Sequence, residues 1–254
     1  MHIHQLRGYI QNIFLIEYPH GCLLLDGACK ADFTVIADYF KHTLQRPLSD
    51  LKVVLVTHMH PDHAGCAHYL RKKSGCQIIS GVFNKQWYAG IGGKVSHLTD
   101  IFLAHWVASK LGRKRSFIWY PPNLHPDLML ADGEAVPGFS DWQVLYTPGH
   151  TSMDISVVNH EHKCCYVADL VVKVRGQLQS PYPVNHPKDY KASLKRLNDL
   201  NGYTIMMAHV PSQQISKDEI TELVSRAPNK PQNVQQTIFH LARRLARFKS
   251  QSEA

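Results

Sequence analysis

Val53-Val54-Leu55-Val56-Thr57-His58-Met59-His60-Pro61-Asp62-His63 sets four consecutive apolar residues directly before a cluster of polar, metal-capable side chains. The apolar run reads as a strand buried on both faces, as in a parallel sheet flanked by helices. The residues from Ala64 to Lys73 read as the helix that follows it. A strand-to-helix junction is a favourable place for chemistry, because the strand end holds the loop while the loop stays open to a ligand.

Outward from this junction the chain alternates short strands with helices. Tyr9 to Tyr18 and Gly21 to Asp26 form a hairpin across Pro19-His20-Gly21. Asp32 caps a helix on Val35, Ile36, Tyr39, Phe40 and Leu44 that ends before Pro47. Later strands are expected at Gln77 to Ser80, Trp142 to Thr147, Ile155 to Val158, Cys164 to Ala168 and Thr204 to Ala208. Helices are expected near Asn84 to Ala89, at Ser96 to Leu111, Asp189 to Leu200, Lys217 to Ser225 and Val234 to Phe248. Two β-rich halves, each followed by helices, give an α/β layered sandwich with the helices outside.

The 254 residues suit a single domain, 1–254, with a helical insertion at about 84–125 and a helical C-terminal extension at about 212–254. Hydrophobic residues make up 44% and charged residues 19%, which excludes a disordered, collagenous or coiled-coil chain. Met1 to Gly8 lacks the apolar run of a secretory signal, and no stretch approaches the length of a membrane span. The six cysteines have no CxxC spacing and are expected as reduced thiols of a cytoplasmic protein, with Cys164 and Cys165 serving strand packing. A net charge of +8 favours anionic ligands in general and leaves nucleic acid open as a partner.

Histidine is unusually frequent, at 17 copies. Those on expected helices, His42, His68, His105 and His240, are read as ordinary surface or core residues. His58-x-His60-x-Asp62-His63 is different: its three imidazoles and one carboxylate suit Zn, Fe or Mn, and one four-coordinate ion could not use them all. Two neighbouring ions could, with His58 and His60 facing one and Asp62 and His63 the other, given further ligands. His150, in Thr147-Pro148-Gly149-His150-Thr151, Asp169 and His209 each stand at a strand end and are the candidates.

This ordered set resembles the metallo-β-lactamase superfamily of hydrolases, over about Tyr9 to Pro211 and including Asp26-Gly27 and Leu130-Ala131-Asp132-Gly133-Glu134. The resemblance implies a four-layer αββα sandwich. It assigns His58, His60 and His150 to one divalent metal ion, Asp62, His63 and His209 to a second, and Asp169 to a bridge between them. Zinc is preferred, with iron or manganese as alternatives. A hydroxide held between two cations is then the nucleophile, and Asp62 is the catalytic residue that also handles the proton. Val210 after the last ligand and Ala168 before Asp169 depart from the glycines usual in relatives.

The expected reaction is hydrolysis of a carboxylic ester, thioester or lactone in a small-molecule substrate, anionic or bearing an apolar acyl group. A lactonase of this family uses a Tyr near the metals, for which Tyr166 and Tyr182 are candidates. Phosphodiesterase or nuclease activity is the first alternative, encouraged by Lys110, Arg113, Lys114 and Arg115, which otherwise read as a solvated helix end. A non-haem iron persulfide dioxygenase is the second, and His63 and His209 argue against its single iron. A binding module with structural metal is disfavoured, since no Cys adjoins the motif.

Leu98, Ile101, Phe102, His105, Trp106, Ser109 and Lys110, broadened by Leu103 and Val107, form a helical stripe. With Phe117 to Pro122 it is expected either to overhang the metals as an apolar lid or to pack on the domain or pair a homodimer. Thr237 to Lys249 is a basic amphipathic segment, expected to dock on the main domain in preference to an acidic membrane or nucleic acid.

Overall fold

The structure is a computed structural model and describes residues 1–232. Its first sheet has six strands in sequence order: β1 (His2–Arg7), β2 (Asn12–Tyr18), β3 (Gly21–Leu25), β4 (Leu51–Val56), β5 (Gln77–Gly81) and β6 (Leu128–Leu130). The first three run antiparallel, and β3 to β6 are parallel. β7 (Ala135–Val136), β8 (Phe139–Tyr146), β9 (Ile155–Asn159), β10 (Cys164–Tyr166) and β13 (Thr204–Met206) build the second sheet in the order β13-β10-β9-β8-β7. β11 (Val172–Val174) and β12 (Gln177–Gln179) form a separate hairpin.

Strand alternation explains the layers, because successive side chains point to opposite faces. In β2, Phe14 and Ile16 face the second sheet, where they join Trp142, Val144, Val157 and Tyr166 in an inner core. Ile13 and Leu15 face the other way, toward α1 (Phe33–Asp38), the π turn after it and α3 (Ala67–Ser74), through Ile36, Phe40, Ala67 and Leu70. On the far side, Cys165, Val158 and Ile205 pack against α5 (Pro187–Arg196) and α6 (Lys217–Arg226), through Tyr190, Leu194, Ile220 and Leu223. The order is helix, sheet, sheet, helix: the metallo-β-lactamase fold, an α/β sandwich. Cys164 and Cys165 are buried in different cores, as alternation demands, and all six cysteines are free thiols.

The differences from expectation have local causes. β1 escapes a sequence reading because it is a polar edge strand defined by its pairing with β2. Asp32 does not cap α1 through its side chain; its carboxylate accepts the backbone N–H groups of Tyr9 and Cys29 and the Gln11 amide. The helix expected from Asp32 is broken into 3-10 (Lys30–Asp32), α and π (Tyr39–Leu44) turns. Asn84 to Ala89 is a turn region, where the Gln86 amide exchanges two hydrogen bonds with the Leu124 backbone. The insertion helix α4 runs Gly90–Lys110 and starts earlier than expected. The extension is described through α6 and the Gln232 bridge to Val184; the helix expected at Val234 to Phe248 lies outside the described residues.

Candidate metal centre

The strand ends converge at one edge of the sandwich. β4 delivers Thr57 and His58, after which Pro61 opens the short helix α2 (Pro61–Ala64) that carries Asp62 and His63. Proline suits that first helical position because its missing N–H has no partner there in any helix. β8 leads to His150. The parallel pairing of β10 with β13, continued by Val167 N–H to Met206 O and Ala208 N–H to Ala168 O, sets Asp169 beside His209. Ala168 itself has φ 48°, left-handed backbone that favours glycine, so the departure noted in the sequence falls where the chain makes a sharp turn.

Seven predicted side chains meet in two adjoining groups. His58, His60, His150 and Asp169 make the first, and Asp62, His63 and His209 the second. His60 Nδ1 lies 3.1 Å from His58 Nε2 and 3.0 Å from His150 Nε2. A tetrahedral ion with bonds of about 2.0–2.1 Å separates its nitrogens by about 3.3 Å, close to this spacing. In the second group His209 Nε2 is 3.2 Å from Asp62 Oδ2, and His63 Nε2 is 3.4 Å from the same oxygen. Asp169 spans both: Oδ1 is 3.2 Å from His209, and Oδ2 is 3.4 Å from His63 and 3.6 Å from His150.

The far ring nitrogens are anchored, which fixes the tautomers. His63 Nδ1 donates to Asp26 Oδ2 at 2.7 Å, His150 Nδ1 to Pro183 O at 2.6 Å and His209 Nδ1 to Ile10 O at 3.1 Å. Two atoms facing the centre, His63 Nε2 and Asp169 Oδ1, are buried with no hydrogen bond of sound geometry. Burying such atoms is costly unless something else completes them. Three imidazoles about 3 Å apart beside a shared carboxylate, with orphaned atoms between the groups, fit bound cations.

The two groups differ electrostatically. Burial, with the neighbouring His63, His60 and His150, pushes the His58 pKa well below the usual imidazole value, and burial with His150 takes His60 to about 3. Both rings are therefore neutral and keep a lone pair. Burial works to raise the Asp62 and Asp169 carboxyls, but His63 and His209 hold both well below the usual range. Against burial, Asp169 and Asp62 push His209 up to about 10. The second group thus gathers positive charge around two carboxylates.

Three supporting residues were assigned no role in the sequence reading, although Asp26 belongs to a stretch that the resemblance took in. Asp26 accepts the Thr57 N–H and hydroxyl, the Tyr166 hydroxyl at 2.6 Å and the His63 ring. Tyr166 is therefore buried behind the centre, and Tyr182 is 53% exposed. Asp154 accepts Gly149 N–H, Thr151 N–H and the Thr151 hydroxyl, which shapes the His150 loop. The Thr-x-x-Asp spacing was its one available signal. Asp100, on α4, lies 3.7 Å from His60 Nε2 and accepts the Tyr88 hydroxyl; nothing local marks it in the sequence.

A cleft of about 540 Å³ opens over His60, between Lys85, Trp87, Val95, Thr99 and Asp100 on one side and Pro183, Asn185 and His186 on the other. The insertion thus does wall the site, but through the first half of α4. Trp106 and Phe102 point to solvent and are absent from the cleft wall, so of the two alternatives expected for this stripe these residues do not form the apolar lid.

A layered sandwich with paired His/Asp clusters along one edge defines a metal-binding α/β class. The chain belongs to the metallo-beta-lactamase superfamily, whose family profile matches residues 6–209, a span that takes in all seven side chains. "Probable metallo-hydrolase YflN" of Bacillus subtilis is 24% identical over 189 residues, 69% of this chain and 66% of that protein. "Hydroxyacylglutathione hydrolase GloC" of Haemophilus influenzae is 27% identical over 125 residues, 48% of this chain and 50% of its own length. The matched regions thus span less than two thirds of both relatives. The crystal structure of TTHA1623 in a di-iron-bound form superposes with TM-score 0.59 at 22% identity, covering 90% of this chain and 99% of that one.

Proposed function

We propose that this chain is a metal-dependent hydrolase that cleaves a carboxylic ester, thioester or lactone at a dinuclear site. His58, His60 and His150 hold one divalent ion, Asp62, His63 and His209 the other, and Asp169 both. Zinc suits the nitrogen-rich first group, with iron or manganese as alternatives. The observation that carries the reading is the 3.0–3.1 Å convergence of three imidazoles onto one point beside Asp169. The names of the two curated relatives support it: one is a metallo-hydrolase, and the substrate named in the other is a thioester. The di-iron form of the structural neighbour supports a pair of ions.

Bound divalent ions supply Lewis acidity, lowering the pKa of water and polarising an acyl oxygen. The chain's own residues do the rest. Asp62 stands between His63 and His209 with a side chain only 8% accessible, placed to take up and release the proton of the attacking water. Asp26 and Pro183 O keep the Nδ1 protons of His63 and His150 turned away from the reacting groups. Trp87, Ala89 and Val95 give the cleft an apolar wall for an acyl group, and Lys85 gives it a cationic side for an anionic substituent.

The test is metal analysis of purified protein coupled to a panel of thioesters, lactones and phosphodiesters. Two equivalents of metal with turnover of an acyl substrate are expected, and His58→Ala or Asp169→Asn removes both metal and turnover while the fold persists. Turnover confined to phosphodiesters, a single iron with oxygen consumption, or full activity after metal stripping overturns the reading.

A further inference from the structure

The outward side of α4 is apolar. Ile91, Val95, Leu98, Phe102 and Trp106 recur every three or four residues in one stripe, from 54% exposed at Leu98 and Trp106 to 85% at Ile91. Phe117 and Trp119, in the segment that follows, are 71% and 49% exposed. The helix is held by its opposite side, where His97, Ala104 and Ala108 are buried and Tyr9, Ile10 and Ile118 pack beside them. An ordinary surface helix turns its large apolar residues inward. A continuous exposed stripe of this kind marks an interaction surface.

The charges around the stripe select the partner. Residues 84–117 contain Lys85, Lys94, Lys110, Arg113, Lys114 and Arg115, and the single acid among them, Asp100, is largely buried and hydrogen-bonded to Tyr88. Lys94 and Lys110 sit on α4 with the stripe, and Lys114 and Arg115 follow it, all four exposed. A second copy of this face would set these cations against one another. The chain's own residues 233–254 carry Arg243, Arg244, Arg247 and Lys249 against one acid, Glu253, and would be repelled likewise. An anionic lipid surface answers both features, since aromatic and aliphatic side chains enter the headgroup boundary while lysine and arginine meet its negative charge.

We propose that the outward face of α4 docks this protein on an anionic phospholipid surface. The proposed attachment is peripheral, and no helix among the described residues is long and apolar enough to cross a membrane. Val95 belongs both to the stripe and to the cleft wall, so the docked face runs continuously into the cleft mouth. The inference does not depend on which bond the cleft hydrolyses.

The test is co-sedimentation of the full chain with vesicles of phosphatidylcholine alone and of phosphatidylcholine with about 30% phosphatidylserine. Binding to the anionic vesicles is expected, weakening as salt rises. A Phe102→Ser/Trp106→Ser variant and a Lys94→Glu/Lys114→Glu/Arg115→Glu variant should each lose about tenfold in affinity, with metal content unchanged as the check on folding. An Arg243→Glu/Arg244→Glu/Arg247→Glu variant should bind like the wild type. Absence of vesicle binding, equal binding to both compositions, or binding lost only in the 243/244/247 variant overturns the proposal. So does a wild-type dimer in sedimentation velocity that the Phe102/Trp106 variant dissociates.

Discussion

His63 donates its Nδ1–H to Asp26 at 2.7 Å, and Asp26 is itself held by Thr57 and by the Tyr166 hydroxyl, which arrives from the opposite sheet. One carboxylate on the β3 side thereby fixes which nitrogen of a histidine on α2 faces the centre. Asp26→Asn cannot accept all of these donors, and such supporting partners are worth about 10- to 100-fold in metal affinity. Titration with metal, followed by calorimetry, should show the weaker of two binding events fall by that factor; unchanged affinities would mean that His63 needs no such anchor.

Metal removal should separate function from fold. The inner core of Phe14, Trp142, Val157 and Tyr166 contains none of the seven metal-capable side chains, so a chelated sample should keep its near-UV circular dichroism and lose its hydrolytic activity. Its melting temperature should still fall, because metal at about 100 times its Kd contributes about 2.7 kcal/mol to the folded state. Re-addition of metal should restore both.

Gly149 precedes His150 with φ 144°, and a Cβ there would lie 2.4 Å from the Tyr190 backbone. Gly149→Ala must therefore displace the loop from α5 and carry His150 with it. The expected cost is about 2–3 kcal/mol in stability, accompanied by loss of metal at the first group. Chemical denaturation and metal content measured on the same sample check both halves.

Trp142 is fully buried between the sheets, and its indole N–H donates to the Tyr18 hydroxyl at 3.0 Å. Trp142→Ala should lower the unfolding free energy by about 3–5 kcal/mol. It leaves a cavity and removes one hydrogen bond of the Tyr18 hydroxyl, which keeps Asp141 as a partner. While the variant remains folded its metal stoichiometry should match the wild type, and a parallel loss of metal would place this part of the core in the site's support.

Asp100→Ala removes the carboxylate that faces His60 Nε2 at 3.7 Å. His60 then loses its one charged neighbour on α4, and metal affinity at the first group should fall up to about tenfold. Isothermal titration with zinc measures this directly.

The sequence was legible where short-range pattern decides structure. Four apolar residues before Thr57-His58 require a buried strand, and ligands following strands Val53–Val56, Cys164–Tyr166 and Thr204–Met206 can be named because strand ends are visible in a single run of residues. Periodicity also found α4, yet it could not tell the inward side from the outward one. Leu98, Phe102 and Trp106 were expected either to overhang the site or to pack on the domain or a second subunit, whereas the small residues Ala104 and Ala108 let the opposite side approach the domain closely and left the large ones in solvent.

By itself, then, the chain determined its central strands and most of its helices, its layered class and seven metal-capable side chains, all properties of residue type and near spacing. Tertiary structure alone decided which ring nitrogen faces the centre and that Asp26, Asp100 and Asp154 hold the arrangement. Those outcomes depend on the register between β10 and β13 and on contacts across many residues of chain, such as Tyr166 with Asp26. Hydrogen bonds of that separation are set only when the two sheets pack face to face.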